Sequence, residues 1–291
     1  MRKTKKEKQQ VFQWLLLIPT VLFFCVFLVL PFVLLIVLSF RDIDSMQNLL
    51  DTYSFSHYIE VFTSDIYIDA ILSTLGLAAV TTVLCIVFAY PAAYLLVRAP
   101  SRRLRALFYI LLVSPLLTSV VIRTFAWIVL LAQNGLINDI LLKLHIISEP
   151  LSLLWNMKAV VIAYVQVMLP FAVLPIATSL SETNPNLRNA SMSLGAGRIQ
   201  SFLKVTLPLT IPGIISGAMI VFSLAAGSYI TALLVGGRMQ PIFPLSIYQQ
   251  VMQVFNLPLA AAMSISLVFI VLIFVGILGL ILKRWEARMH G

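Results

Sequence analysis

The sequence predicts an all-α, polytopic membrane protein with six transmembrane helices and both termini in the cytoplasm. Three observations carry that prediction. The 291 residues are 60% hydrophobic and only 11% charged, with a mean hydropathy of +1.01, whereas soluble domains are about 25% charged and about 45–50% apolar. Six apolar stretches, roughly 12–40, 68–97, 107–131, 157–180, 209–235 and 259–282, reach the ~20 residues that a helix needs to cross the hydrocarbon core. The basic residues are segregated into alternate loops.

The first apolar run, from Val11 to Phe40, is interrupted by little beyond Gln13. It is much longer than the ~7–15 residues of a secretory signal core and lacks a small-residue cleavage ending, so a retained helix is expected. Pro19, Pro31, Pro91, Pro115, Pro170 and Pro175 all fall inside predicted spans. Membrane helices tolerate proline because neighbours satisfy the freed backbone groups, so kinks are expected there and not ends. The organisation is then a basic N-terminus (1–10), a transmembrane domain (11–283) and a short tail (284–291).

Orientation follows from Lys and Arg. Fifteen of the twenty basic residues lie on one side: Arg2, Lys3, Lys5, Lys6 and Lys8; Arg98, Arg102, Arg103 and Arg105; Arg188, Arg198 and Lys204; Lys283, Arg284 and Arg288. The opposite loops hold Arg41, Lys143 and Arg238, together with Asp42, Asp44, Asp51, Glu60, Asp65 and Asp69. The positive-inside rule assigns the basic side to the cytoplasm. The net charge of +9 is therefore a topology and lipid-surface signal and does not imply nucleic acid. Cys25 and Cys85 both sit in apolar runs, with no spacing for a metal or a staple.

One cytoplasmic passage, "NASMSLGAGRIQSFLKVTLP" (189–208), breaks the apolar monotony. Asn184-Pro185 reads as an N-cap followed by proline at the first helical position. Leu187, Ala190 and Leu194 share one helical face, and Gly195 stands where a C-terminal left-handed residue is wanted. Ile199, Phe202 and Leu203 form a second short apolar face before Leu207-Pro208 turns the chain back. Loop 183–208 is thus two short helices around a glycine bend. Its apolar ridge suits either a partner's groove or a seat on lipid headgroups.

That passage resembles the signature loop of bacterial ABC importer permeases: Glu-Ala-Ala, three residues, Gly, then a variable stretch ending in Leu-Pro. Asn189, Ala190 and Ser191 stand at the Glu-Ala-Ala positions, Gly195 at the Gly, and Leu207 and Pro208 at the Leu-Pro. Asn replaces Glu and Ser replaces the second Ala. "FAYPAAYLLVRAPSRRLR" (88–105), "SPLLTSVVIRTFAWIVLLAQNGLIN" (114–138), "LPFAVLPIATSL" (169–180) and "GSYITALLVGG" (227–237) are similar to the polyamine (spermidine/putrescine) branch of that family. The resemblance implies the type I ABC importer permease fold in a bacterial cytoplasmic (inner) membrane. It also implies ATPase coupling through Asn189, Ala190, Ser191, Leu194, Gly195, Ile199, Phe202, Leu207 and Pro208. The implied partners are two copies of an ATPase carrying ATP and Mg, a second permease subunit (a paralogue in preference to itself) and a soluble solute-binding protein.

No phosphate loop or HExxH pattern occurs, and His57, His145 and His290 all lie outside the predicted spans. ATP hydrolysis is therefore expected on a separate subunit, and the chain itself is expected to be no enzyme and to hold no metal or cofactor. A proton- or sodium-coupled carrier would place acids inside spans, and a membrane enzyme would cluster His, Asp or Glu at a face; neither pattern is present. Arg123 is the clearly intramembrane charge, and burying it costs at least about 2.5–3.5 kcal/mol unless it meets protein or water. Two placements satisfy that: on the solute path, or snorkelling outward and tying helices through carbonyls. Trp127, Tyr164, Gln166, Ser228, Tyr229 and Thr231 are the other candidates to line a path. Many polyamine permeases have an acid at the position of Ser228. The resemblance therefore implies a polyamine or related amine, while Arg123 without a carboxylate favours a neutral, zwitterionic or anionic organic solute.

Overall fold

The computed structural model describes residues 17–44, 46, 48–237 and 241–290, without the side chains at 286 and 288–290. The predicted basic segment 1–10, residues 12–16 of the first predicted span and Arg238 lie outside the described residues. In chain order the elements are helix α1 (Leu17–Ser39), strands β1 (Arg41–Ile43) and β2 (Leu49–Tyr53), and helix α2 (Ser56–Thr63). Helices α3 (Asp65–Arg98), α4 (Arg102–Val113), α5 (Val120–Leu131), α6 (Leu136–Lys143) and α7 (Met157–Glu182) follow. The chain ends with α8 (Pro185–Ser193), α9 (Arg198–Leu209), α10 (Ile211–Gly227), α11 (Phe243–Gln249) and α12 (Leu257–His290). Five helical stretches are long and apolar enough to cross a membrane, and up to six if α9 and α10, bent by 61° at Thr210, count as one.

Two features depart from the expectation of a purely helical chain with kinked spans. A two-stranded antiparallel hairpin pairs Arg41 with Tyr53 and Ile43 with Leu49. The predicted span 107–131 is interrupted: α4 gives way to a 3-10 turn at Ser114–Leu117 and extended residues before α5 begins. Proline 115 removes a backbone donor, and the hydroxyls of Ser114 and Thr118 bond carbonyls of the preceding turn, competing with the helical ladder. Pro91, Pro170 and Pro175, in contrast, stay within continuous helices. The stretch of this region that meets the length and hydropathy for a span is 120–143.

Proline also marks two of the four π-helical stretches among the described residues. Cys25–Val29 precedes Pro31, and Phe202–Thr206 precedes Pro208. Proline cannot donate to the carbonyl four residues back, and a wider turn there accommodates the lost bond.

The chain divides into two compact units, residues 1–64 with 247–266, and 65–246 with 267–291. In the first, the hairpin is held by side chains. Arg41 forms an ion pair with Asp51 and donates from Nε to the Leu50 carbonyl at 3.0 Å. Asp44 closes the turn, accepting from the backbone N–H of Met46 and Asn48, both at 2.8 Å, and from Asn48 Nδ2 at 3.0 Å. The Asn48 side chain foremost holds the Asp44 carboxyl below its ordinary pKa, and the Ser54 hydroxyl does the same for Asp42. Depressed carboxyls support the hairpin above the ordinary carboxylate value of about 3.9, and that support is lost as pH falls through the depressed values. Hydrogen exchange of the hairpin amides, corrected for its intrinsic base-catalysed rate, is therefore expected to be flat through neutral pH and to accelerate only below about pH 4. Asp44→Ala should accelerate it at pH 7.

The second unit is built on α3, α7 and α10. The buried positions of α3 run through Ala70, Thr74, Leu77, Ala78, Thr81, Cys85, Ala89, Ala93 and Leu96, the three- and four-residue steps of one helical face. Most are small, which lets helix axes approach closely. Helix α10 contributes Gly213 and Gly217, a Gly-x-x-x-Gly pair. A Cβ on Gly213 would lie 2.6 Å from the Pro175 carbonyl oxygen and from Ser179 Cβ, so α10 rests directly on α7. Apolar surface alone does not drive helices together in lipid, and close backbone packing supplies the attraction.

Candidate coupling site and solute path

Loop 183–208 folds as the helix-glycine-helix unit its sequence dictates. Asn184 caps α8, its side chain accepting from the Asn186 N–H at 3.0 Å, and Pro185 occupies the first turn. The helix ends in a Schellman motif: Gly195 N–H donates to the Met192 carbonyl at 3.0 Å, and Ala196 N–H to the Ser191 carbonyl at 3.1 Å. Gly195 has φ +92°, a conformation that costs residues with a Cβ about 1–2 kcal/mol. Gly195→Ala is therefore expected to loosen the hairpin by about that amount, read as faster proteolysis of the loop with membrane insertion unchanged.

The residues predicted to couple divide into two groups. Leu194 is 89% exposed and Ile199 77% exposed, with Leu187, Asn189, Ala190 and Leu203 also on the surface. This is the outward ridge. Phe202 turns the other way. Its ring meets Tyr90 edge-on at 5.5 Å and Tyr94 at 6.5 Å between centroids, so it packs on α3 and is not part of the ridge. Ser191 also faces inward: its hydroxyl donates to the Arg188 carbonyl at 2.8 Å and lies 2.5 Å from the Ser201 hydroxyl, joining α8 to α9. Leu207 and Pro208 are half-buried at the bend into α10.

Of the predicted path residues, Tyr164, Ser228 and Thr231 are held at the break after α10 and Trp127 pairs with Gln166, in the roles of struts as much as of a lining. Ser228 is extended, and the Tyr164 hydroxyl donates to its carbonyl at 2.6 Å. Tyr164 is fully buried. Thr231 is buried as well, its hydroxyl 3.2 Å from that of Thr124 on α5. Both side chains are closed to a solute. Trp127 donates from Nε1 to Gln166 Oε1 at 3.2 Å, and Trp127, Gln166, Ser228 and Tyr229 are partly exposed. Arg123 is partly exposed too, but its Nε and Nη1 are buried with no hydrogen-bond partner among the described residues. A separate cleft of about 910 Å³, with Arg102, Arg105, Tyr109 and Glu182 over apolar walls, contains none of the seven predicted path residues.

With a helical core long and apolar enough to cross a membrane, a helix-glycine-helix hairpin and a polar break in place, comparison with known proteins is decisive. The family described as binding-protein-dependent transport system inner membrane components matches residues 85–289. The chain belongs to that family. It is 30% identical to the spermidine/putrescine transport system permease protein PotB of Salmonella typhimurium, covering 93% of this chain and 92% of that one. It is 31% identical to PotB of Escherichia coli, covering 84% and 88%. Its fold matches a solved bacterial ABC transporter involved in import of the acidic polysaccharide alginate, with TM-score 0.77, 19% identity and coverage of 98% and 99%. The protein is an ABC importer permease, a multi-pass membrane subunit.

Several residues that shape this permease site were not singled out from sequence. Gly213 and Gly217 carry a spacing that marks close helix contact and was available to find them. Arg188, Tyr94 and Tyr90 had no such signal. Arg188 reads as one more topology charge and the tyrosines as interfacial residues, and only the fold brings them to the hairpin.

Proposed function

We propose that this permease is the membrane subunit of an ATP-driven importer in a bacterial inner membrane. It takes a small solute from a soluble binding protein and moves it to the cytoplasm. The observation that carries this reading is the α8–Gly195–α9 hairpin, a compact lever with Leu194 and Ile199 standing out from it. A soluble face does not ordinarily leave large aliphatic side chains this exposed unless something covers them, and a short helix inserted in a groove is the fitting mode. The occupied groove belongs to a separate ATPase, which holds the ATP and Mg that the reaction needs. Lys and Arg segregation puts the hairpin and both termini in the cytoplasm, on the ATPase side. A second permease subunit, more fittingly a paralogue, completes the path.

Similarity to the PotB proteins over most of both chains supports a polyamine or related amine as the solute. One observation favours a second reading. Arg123 carries unpartnered buried nitrogens, and Ser228 offers no charge, an arrangement that attracts a carboxylate or phosphonate and repels a polycation. Uptake by the complete transporter with its binding protein separates the two. Labelled putrescine or spermidine is tested alone and against an aminophosphonate competitor. Saturable ATP-dependent polyamine uptake upholds the first reading; uptake of the competitor with no polyamine transport upholds the second.

A further inference from the structure

We infer that Arg188, Tyr94 and Phe202 form a latch that makes the coupling hairpin and α3 move as one body, so that they are positioning residues for transport. The inference rests on the coupling role proposed above for the hairpin. Arg188 works in two directions. Its backbone carbonyl accepts from Ser191 Oγ at 2.8 Å and from Ser201 Oγ at 3.3 Å, binding α8 to α9. Its guanidinium Nη1 donates to the Tyr94 hydroxyl on α3. The residue that closes the hairpin internally is thus the one that ties it to the membrane core.

Phe202 reinforces the same joint. It lies in the π-helical turn within α9, between Gly195 and the 61° bend, edge-on to Tyr90 and Tyr94, at interplanar angles of 85° and 82°. Edge-to-face pairs at such distances resist both sliding and rotation better than aliphatic contacts, because the ring quadrupoles set a preferred geometry. The Tyr90 hydroxyl then reaches Thr210 Oγ1 at 3.0 Å, at the bend itself. A push on Leu194 therefore has two exits: along α9 through the bend into α10, and sideways through Arg188 and Phe202 into α3. Without the sideways exit, the wide turn at Phe202–Thr206 could flex and absorb the stroke. A latch of this kind keeps α3 and α10 in step, which rigid-body alternation requires.

The test uses the full transporter reconstituted with its ATPase and binding protein, reading solute taken up per ATP hydrolysed. Tyr94→Phe removes only the hydroxyl and keeps the ring against Phe202. It is expected to leave the complex assembled and ATP hydrolysis near normal, while uptake per ATP falls by at least about fivefold. Arg188→Gln should do the same, and the double variant should fall no further than the worse single one. Phe202→Leu, which keeps an apolar side chain and removes the ring, should also lower the ratio. An unchanged ratio in Tyr94→Phe and Arg188→Gln, or effects that multiply in the double variant, overturns the latch. Leu194→Asp run alongside distinguishes the two levels. If it too transports normally, the coupling role itself has failed; if it alone blocks uptake, only the latch has.

Discussion

Leu194→Asp should reduce uptake to background while the permease still inserts and folds. The side chain is 89% exposed at the end of α8, and the backbone beneath it is fixed by the Schellman bonds of Gly195 and Ala196. The substitution therefore removes nothing from the permease interior. What it changes is the docked state. Burying a leucine in a partner's groove contributes about 1.5–3 kcal/mol, and forcing an unpaired carboxylate into the same groove costs about 3–5 kcal/mol more. Together these exceed the free energy by which two sites are typically coupled, about 1–3 kcal/mol. Co-purification of the ATPase should weaken and receptor-stimulated hydrolysis should no longer drive transport. Normal uptake by this variant would remove the ridge from the account.

Gly213→Ala should destabilise the permease itself. The new Cβ would lie 2.6 Å from the Pro175 carbonyl oxygen, 2.6 Å from Ser179 Cβ and 3.1 Å from Ile176 Cα. These atoms are backbone or the root of a side chain, so no rotamer relieves the clash and α10 must move off α7. Overpacking of this sort costs about 1–3 kcal/mol. Gly217→Ala is expected to be milder, since its nearest approach is 3.2 Å. Gly76→Ala, with nothing within 4 Å, should be near neutral. Thermal unfolding in detergent by tryptophan fluorescence checks the order: Gly213→Ala well below the parent, Gly217→Ala between, Gly76→Ala level with it. An unaltered midpoint for Gly213→Ala would mean that α7 and α10 do not meet as described.

What the sequence made legible was local. Asn184-Pro185, the apolar steps at Leu187, Ala190 and Leu194, and Gly195 are chemistry acting within one turn, and the hairpin followed from them. Long apolar runs likewise announced helices. What stayed hidden depended on partners distant in sequence or on competition between local forces. Phe202 looked like part of the ridge because its neighbour Ile199 is, and only the approach of Tyr90 and Tyr94 from α3 turns it inward. Tyr164 and Thr231 looked like pore polar groups because hydroxyls in an apolar span invite that reading, whereas Tyr164 satisfies the Ser228 carbonyl at the broken helix after Gly227 and Thr231 meets the Thr124 hydroxyl on α5. The interruption at Ser114–Leu117 sits in a run whose hydropathy continues across it; one proline among hydroxyls decided against a continuous helix there, while Pro91, Pro170 and Pro175 lost the same contest to tertiary packing. The β1–β2 hairpin was masked because its strands are short and mixed in polarity, and side chains such as Asp44 and Arg41 hold it as much as pairing does.

The measurement that bears most directly on the coupling role is a cross-link from position 194. With Cys25 and Cys85 replaced by serine, Leu194→Cys is assembled with its ATPase and treated with a short thiol-to-amine reagent. A permease–ATPase adduct that responds to ATP is the predicted result. A thiol at 194 that reacts freely with solvent reagents and never with the ATPase, in a complex that remains assembled and transports, would contradict the account.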